Sequence, residues 1–127
     1  MIDKVVKSAD IGSVDLPFPG YTGEIKIKPL NGDYSFGPSM ILIRMEAGAF
    51  IPPHLHKKAA EVLCILDGDF TNENKTYGTG DFLHTKPGTV HGPHTTKKGC
   101  SLLVLYTANA GEPDPNDFFL AESAKQR

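Results

Sequence analysis

From residue 24 to residue 107 the apolar positions gather in short runs, interrupted by Gly, Pro, Asn or Asp about every eight to twelve residues. That rhythm predicts strands over 24–29, 39–46, 60–66, 69–72, 76–77, 82–85 and 100–107. Asn31-Gly32, Asp67-Gly68, Gly78-Thr79-Gly80 and Pro87-Gly88 lie between them as turns, because Gly tolerates positive φ and Pro presets a negative one. The expected class is all-β. One short helix is expected from Asp117 to Lys125, behind the breaker Pro113-Asp114-Pro115, with 123–127 loose at the end.

Alternation within two strands adds a second inference. In 61–66 one face carries Glu61, Leu63 and Ile65 and the other Val62, Cys64 and Leu66; in 102–106 Leu102, Val104 and Tyr106 oppose Leu103 and Leu105. Strands apolar on both faces are covered on both. A small barrel fills its own inside, so its outside needs a cover. Both the extra strand at 24–29 and a second subunit, making a homodimer, are expected to supply it.

Composition narrows the classes. The chain has 127 residues, one domain's worth, and its 13 Gly and 10 Pro are scattered as turn residues rather than gathered in a linker. With 13 Lys+Arg against 15 Asp+Glu, and Lys57-Lys58 and Lys97-Lys98 as the longest basic runs, a nucleic-acid partner is not expected. No apolar stretch approaches the ~18 residues that cross a bilayer, and 1–10 lacks the apolar region of a signal peptide. No membrane association is expected, and a cytoplasmic location is. Cys64 and Cys100 make neither a disulfide framework nor a Cys-x-x-Cys pair, and are expected as free thiols of a reducing compartment.

The chemistry lies between Gly48 and His91. His54 and His56 are two apart, so on extended backbone both imidazoles project from one face and can grip one ion. Glu61 opens the next strand and points a carboxylate into the same cavity, and His91 returns after the turn at Pro87-Gly88. Three imidazoles and a carboxylate suit Fe(II), Mn(II), Ni(II), Cu(II) or Zn(II), with one or two positions left for water or substrate.

This arrangement resembles the cupin superfamily, whose motifs are Gly-x5-His-x-His-x3,4-Glu-x6-Gly and Gly-x5-Pro-x-Gly-x2-His-x3-Asn. Gly48, His54, His56, Glu61 and Gly68 match the first at every fixed position, and Gly80, Gly88 and His91 match the second in register. Lys86 stands where the family has Pro, with Pro87 one place later, and Thr95 stands where it has Asn. Neither departure touches a ligand. The resemblance covers roughly 40–106 and implies a double-stranded β-helix, the cupin jelly-roll barrel. The whole chain, 1–127, would be a single cupin domain, with extra strands in 1–39 and a tail at 108–127. The run from Asp67 to Phe82, with Lys86-Pro-Gly-Thr-Val-His-Gly-Pro-His94 and Gly99-Cys100, looks like the small ChrR-type cupins and the dioxygenases that cleave small diketones and hydroxyketones.

Those relatives divide into enzymes using iron and O2 and zinc-binding regulatory domains without turnover. The first expectation is therefore an Fe(II) dioxygenase acting on a small carbonyl-bearing substrate. The alternatives are a non-redox isomerase, lyase or decarboxylase with the same ligands, and a non-catalytic zinc-binding sensor, for which one short domain leaves little output surface.

Other residues complete the expectations. His84, in the strand before the Pro87-Gly88 turn, is the candidate catalytic base if it faces the cavity, and a surface residue if it does not. His94, three residues after His91, is read as a loop residue, with lining the mouth of the cavity as the alternative. Phe50, Phe82, Tyr106, Leu63 and Ile65 are read as barrel filling, and Lys57-Lys58 as a solvated loop. Cys64 alternates away from Glu61 and so points off the metal face.

Overall fold

A computed structural model describes residues 1–32, 37–107 and 114–121. Its strands in chain order are β1 (Val14–Asp15), β2 (Ile25–Pro29), β3 (Ser39–Met45), β4 (Phe50–Ile51), β5 (His54–Leu55), β6 (Glu61–Gly68), β7 (Phe70–Asn72), β8 (Lys75–Tyr77), β9 (Phe82–Thr85), β10 (His94–Thr95), β11 (Cys100–Tyr106) and β12 (Phe119–Leu120). Apart from strands, only one 3-10 turn, Ser8–Asp10, is regular among the described residues. All seven predicted strands are present within a residue or two of their expected ends. None of the described helices is long and apolar enough to cross a membrane.

The strands form a jelly-roll barrel of antiparallel sheets. One sheet runs β1-β2-β3-β11-β6-β9, a second β4-β10-β7-β8, and β12 pairs with β5. Alternation explains what lies between them. Ile25 and Ile27, Ile41 and Ile43, Leu102 and Val104, and Leu63 and Ile65 all face inward and are buried, and Ile51 and Phe70 join them from the second sheet. Register aligns them: Ile27 pairs Ile43, which pairs Leu102, which pairs Ile65. Full burial of each such side chain stabilises the fold by about 1.5–3 kcal/mol.

Two expectations need correction. The strand at 24–29 does not lie over the outside of the barrel. It hydrogen-bonds edge-on to β3 and widens the sheet, which sends its own Ile25 and Ile27 into the interior. Among the described residues, no strand therefore lies over the outer face. The expected helix from Asp117 is also absent over the described part of that segment. Phe119 and Leu120 are extended because they pair with Leu55 and His54 on β5. Residues 122–127, and with them the rest of the expected helix and the loose end, lie outside the described residues.

Gly68 shows how a motif glycine serves the barrel. It ends β6 at φ +80°, opposite Cys100 on β11, and a Cβ there would lie 2.0 Å from the Gly99 carbonyl oxygen and 2.7 Å from the Cys100 Cα. No rotation relieves a clash with backbone on both sides. Gly48 has a similar φ, +84°, but open space around it. Alanine at Gly48 is expected to cost only the left-handed penalty of about 1–2 kcal/mol, and alanine at Gly68 that plus a steric cost. Urea unfolding of the two variants checks this; equal losses would contradict it.

Candidate metal centre

Backbone pairing brings the four expected ligands together. His54 and His91 form an antiparallel bridge, each N–H donating to the other's carbonyl at 2.9 Å. The Gly88 N–H, in the turn before His91, donates to the His56 carbonyl at 2.7 Å. Glu61 opens β6 between Thr85 on β9 and Tyr106 on β11. His54, His56, Glu61 and His91 are all buried, and one ligand atom from each lies within 4.8 Å of every other.

The hydrogen bonds decide which nitrogens remain. Nδ1 of His54 donates to the Pro52 carbonyl at 2.8 Å, Nδ1 of His56 to the Asp117 carbonyl at 2.6 Å, and Nδ1 of His91 lies 3.4 Å from the Thr85 hydroxyl. A proton on Nδ1 leaves Nε2 as a lone pair. Nε2 of His56 lies 3.1 Å and Nε2 of His91 4.0 Å from the same Glu61 oxygen, yet neither nitrogen makes a hydrogen bond. Converging lone pairs and a carboxylate, buried and unpaired, are what a cation satisfies. Donors about 2.1 Å from one ion are at most about 4.2 Å apart, so a pair as much as 4.8 Å apart would draw in by about 0.6 Å or more on loading.

Electrostatics agree with that fit. Burial first, and the neighbouring His91 second, hold the His54 imidazole down to about 3, and burial lowers His91 as well. Burial opposes ionisation of Glu61, but His56 beside it and the charges of the other imidazoles hold it at about 2. Burial likewise works against charging His56, yet Glu61 lifts it above its ordinary value. His54 and His91 are thus held neutral and ready to ligate, while His56 leans on the Glu61 carboxylate, an ion pair whose proton a bound cation would displace.

Three residues matter here that local sequence patterns did not single out. The Asp117 carboxylate accepts the backbone N–H groups of Lys57, Lys58 and Ala59 at 2.8–3.2 Å, while its own carbonyl holds His56. Expected to start a helix, Asp117 instead caps a loop about sixty residues away in sequence. Phe118 stacks on His54 at 4.5 Å and on Phe18 at 4.6 Å, so an aromatic pair closes over the imidazoles. The space left inside is a cavity of about 20 Å³, lined by residues including Phe18, Ile43, Glu61, Leu102, His94 and Tyr106.

Other expectations fall differently. His84 is exposed and pairs Val62, so it points from the outer face, away from Glu61; the proposed base does not reach the cavity, because Glu61 and Thr85 set the inward register. His94 is not a loop residue. It lies on β10 between Ile51 and Asn72 and is buried against Phe70, its rings 4.9 Å apart. Phe82 is 64% exposed rather than filling the barrel, whereas Leu63, Ile65 and Tyr106 do fill it and Phe50 is half-buried. Lys57 and Lys58 are exposed, with the Lys57 ammonium 3.9 Å over the Phe119 ring. Cys64 and Cys100 are free thiols, Cys64 on the outer face and Cys100 buried, which pushes the latter up to about 11.

A family profile of the ChrR cupin-like domain matches residues 5–110. The chain belongs to the ChrR cupin-like family. No curated protein sequence matches this cupin. Among solved structures its fold is similar to the polyketide cyclase RemF from Streptomyces resistomycificus, at TM-score 0.77 and 20% identity over 98% of this chain and 92% of that one. It is also similar to an acetylacetone dioxygenase from Acinetobacter johnsonii (0.70, 16%, 99% and 90%). A third likeness is to Rhodobacter sphaeroides SigE in complex with the anti-sigma ChrR (0.63, 20%, 79% and 51%). At these identities the likeness establishes the double-stranded β-helix and leaves chemistry to the site.

Asp117→Ala should release both the 57–59 loop and the orientation of His56. The main-chain carbonyl that holds His56 survives the substitution, so a loss of metal affinity of about tenfold is expected, the low end of the range for disturbed outer partners of metal-bound histidines. Competitive titration with a chelating dye measures it, and unchanged affinity would show that the loop and ring need no such support.

Proposed function

We propose that this cupin is a metal-dependent enzyme, an Fe(II) dioxygenase acting on a small carbonyl-bearing substrate, with His54, His56, Glu61 and His91 as the metal ligands. The observation that carries the reading is the convergence of three imidazoles, each with its Nδ1 turned outward, and one carboxylate on a cavity with apolar walls. Iron held there would supply Lewis acidity toward carbonyl or enolate oxygens and an electron path to O2. The chain does the rest. Glu61 supplies the one negative charge among the ligands, so the ion keeps a net positive charge toward an anionic enolate. Ile43, Leu63, Leu102 and Val104 give the substrate an apolar wall, and Phe18 with Phe118 keeps bulk water from the imidazoles.

A zinc-binding sensor is the competing reading, and the tightness of the site favours it. A cavity of about 20 Å³ takes a water, and an organic substrate only if its walls move apart. Metal analysis of protein purified without added metal, joined to oxygen-electrode assays over β-diketones and hydroxyacetophenones, separates the two. Iron with oxygen uptake that His54→Ala abolishes is the expected result. Stoichiometric zinc with no turnover would overturn it, and iron-independent conversion without oxygen uptake would assign the non-redox alternative.

The reading includes a homodimer. On the outer face of the six-stranded sheet, Leu42, Leu103, Cys64 and Phe82 form one row across four strands, and Met40, Leu105, Val62 and His84 form the next. A third row holds Lys26, Arg44, Ser101 and Asp67, charges of both signs that a two-fold axis can pair with their own copies. Light scattering should give twice the chain mass for the wild type and a monomer for Phe82→Glu; a monomeric wild type would contradict it.

A further inference from the structure

Of the four buried histidines, His94 alone stands outside the ligand group. It is 5% exposed, and neither of its ring nitrogens has a hydrogen-bond partner among the described residues. Leaving a buried polar group unpaired costs about 1–3 kcal/mol, and an aliphatic side chain between Ile51 and Phe70 would fill the position without that cost. Packing therefore does not account for a histidine here. Its surroundings suggest what does. The ring lies 5.4 Å from that of His54 and 5.1 Å from that of His91, and it lines the same cavity as Glu61, Ile43 and Leu102. About 20 Å³ is enough for one water, which needs polar partners, and in this mostly apolar chamber His94 is a polar side chain that belongs to no ligand set.

We propose that His94 is a substrate-binding residue whose imidazole hydrogen-bonds the one oxygen that the cavity of about 20 Å³ accommodates beside the metal ligands, a carbonyl, enol or hydroxyl oxygen of a small ligand whose carbon frame parts the apolar wall on binding. A neutral imidazole donates from one nitrogen and accepts at the other, so it can hold a carbonyl or a hydroxyl, and in the absence of ligand it holds a water. The proposal deepens the reading of the site as one that binds a carbonyl compound and rests on it. It sets His94 apart from the four ligands: they hold the ion, and His94 fixes the organic molecule's orientation beside it. It also assigns the polar role in the cavity to His94, where sequence had offered His84.

Two variants, His94→Leu and His94→Gln, test this with three measurements. Metal content should stay at one ion per chain in both. The metal-free His94→Leu protein should melt at a temperature a few degrees higher than wild type, because a buried polar group paired with nothing but an immobilised water has been replaced by an apolar one. Acetylacetone, the probe, should bind the metal-loaded wild type in calorimetry, bind His94→Leu about tenfold more weakly or worse, and regain part of that loss in His94→Gln. Loss of metal from His94→Leu would overturn the proposal by making His94 a ligand. A lower melting temperature, equal acetylacetone affinity in all three proteins, or no acetylacetone binding by metal-loaded wild type would overturn it as well. A wild type that takes up no metal would instead overturn the metal reading, and the melting comparison would still decide whether His94 is a structural residue.

Discussion

Four electron-pair donors aimed at one another in a space closed to bulk water are the constraint on which this barrel depends. Glu61 and the Nε2 atoms of His56 and His91 lie close without hydrogen bonds between them, and each is enclosed. Buried polar groups are ordinarily paired, so a cluster like this calls for a further group to complete it, a role that a cation would fill. The surrounding backbone is organised to hold that arrangement. The paired N–H and carbonyl groups of His54 and His91 fix two ligands to each other, and the carbonyls of Pro52 and Asp117 turn two rings outward at Nδ1.

The cluster also explains why the C-terminal segment is extended. Asp117, Phe118 and the pair Phe119–Leu120 act in succession: a carboxylate caps the 57–59 loop, a phenyl ring covers His54, and two residues add a strand to β5. A helix would have met its own backbone hydrogen bonds but left the loop N–H groups and the imidazole faces open to water. Tertiary demand outweighs local propensity at these residues.

What was legible in the sequence follows the same division between local and distant causes. Strand positions follow from a two-residue period and from turn residues, both local, and the ligand spacing His54-x-His56-x4-Glu61 is local too. The inward register of Glu61 and Leu63, and the outward one of Cys64, could be read by alternation. His84 was one residue from the inward face, so only the pairing of Glu61 with Thr85 decides its side. His94 looked like a loop residue after Gly92-Pro93, because the two-residue strand β10 exists only through partners on β4 and β7. Asp117 and Phe118 act on residues about sixty positions earlier, and nothing near them in sequence announces it.

The proposed function divides the labour inside one small chamber: ligands that would hold an ion, aromatic rings that close over them, and an apolar wall interrupted by one further imidazole. Everything in that account begins with the ion and its donors. X-ray absorption at the edge of the metal carried by the purified protein tests this most directly. The account predicts multiple scattering from three imidazoles and a first shell of nitrogen and oxygen alone. A sulfur scatterer in the first shell, or fewer than two imidazoles, would contradict it.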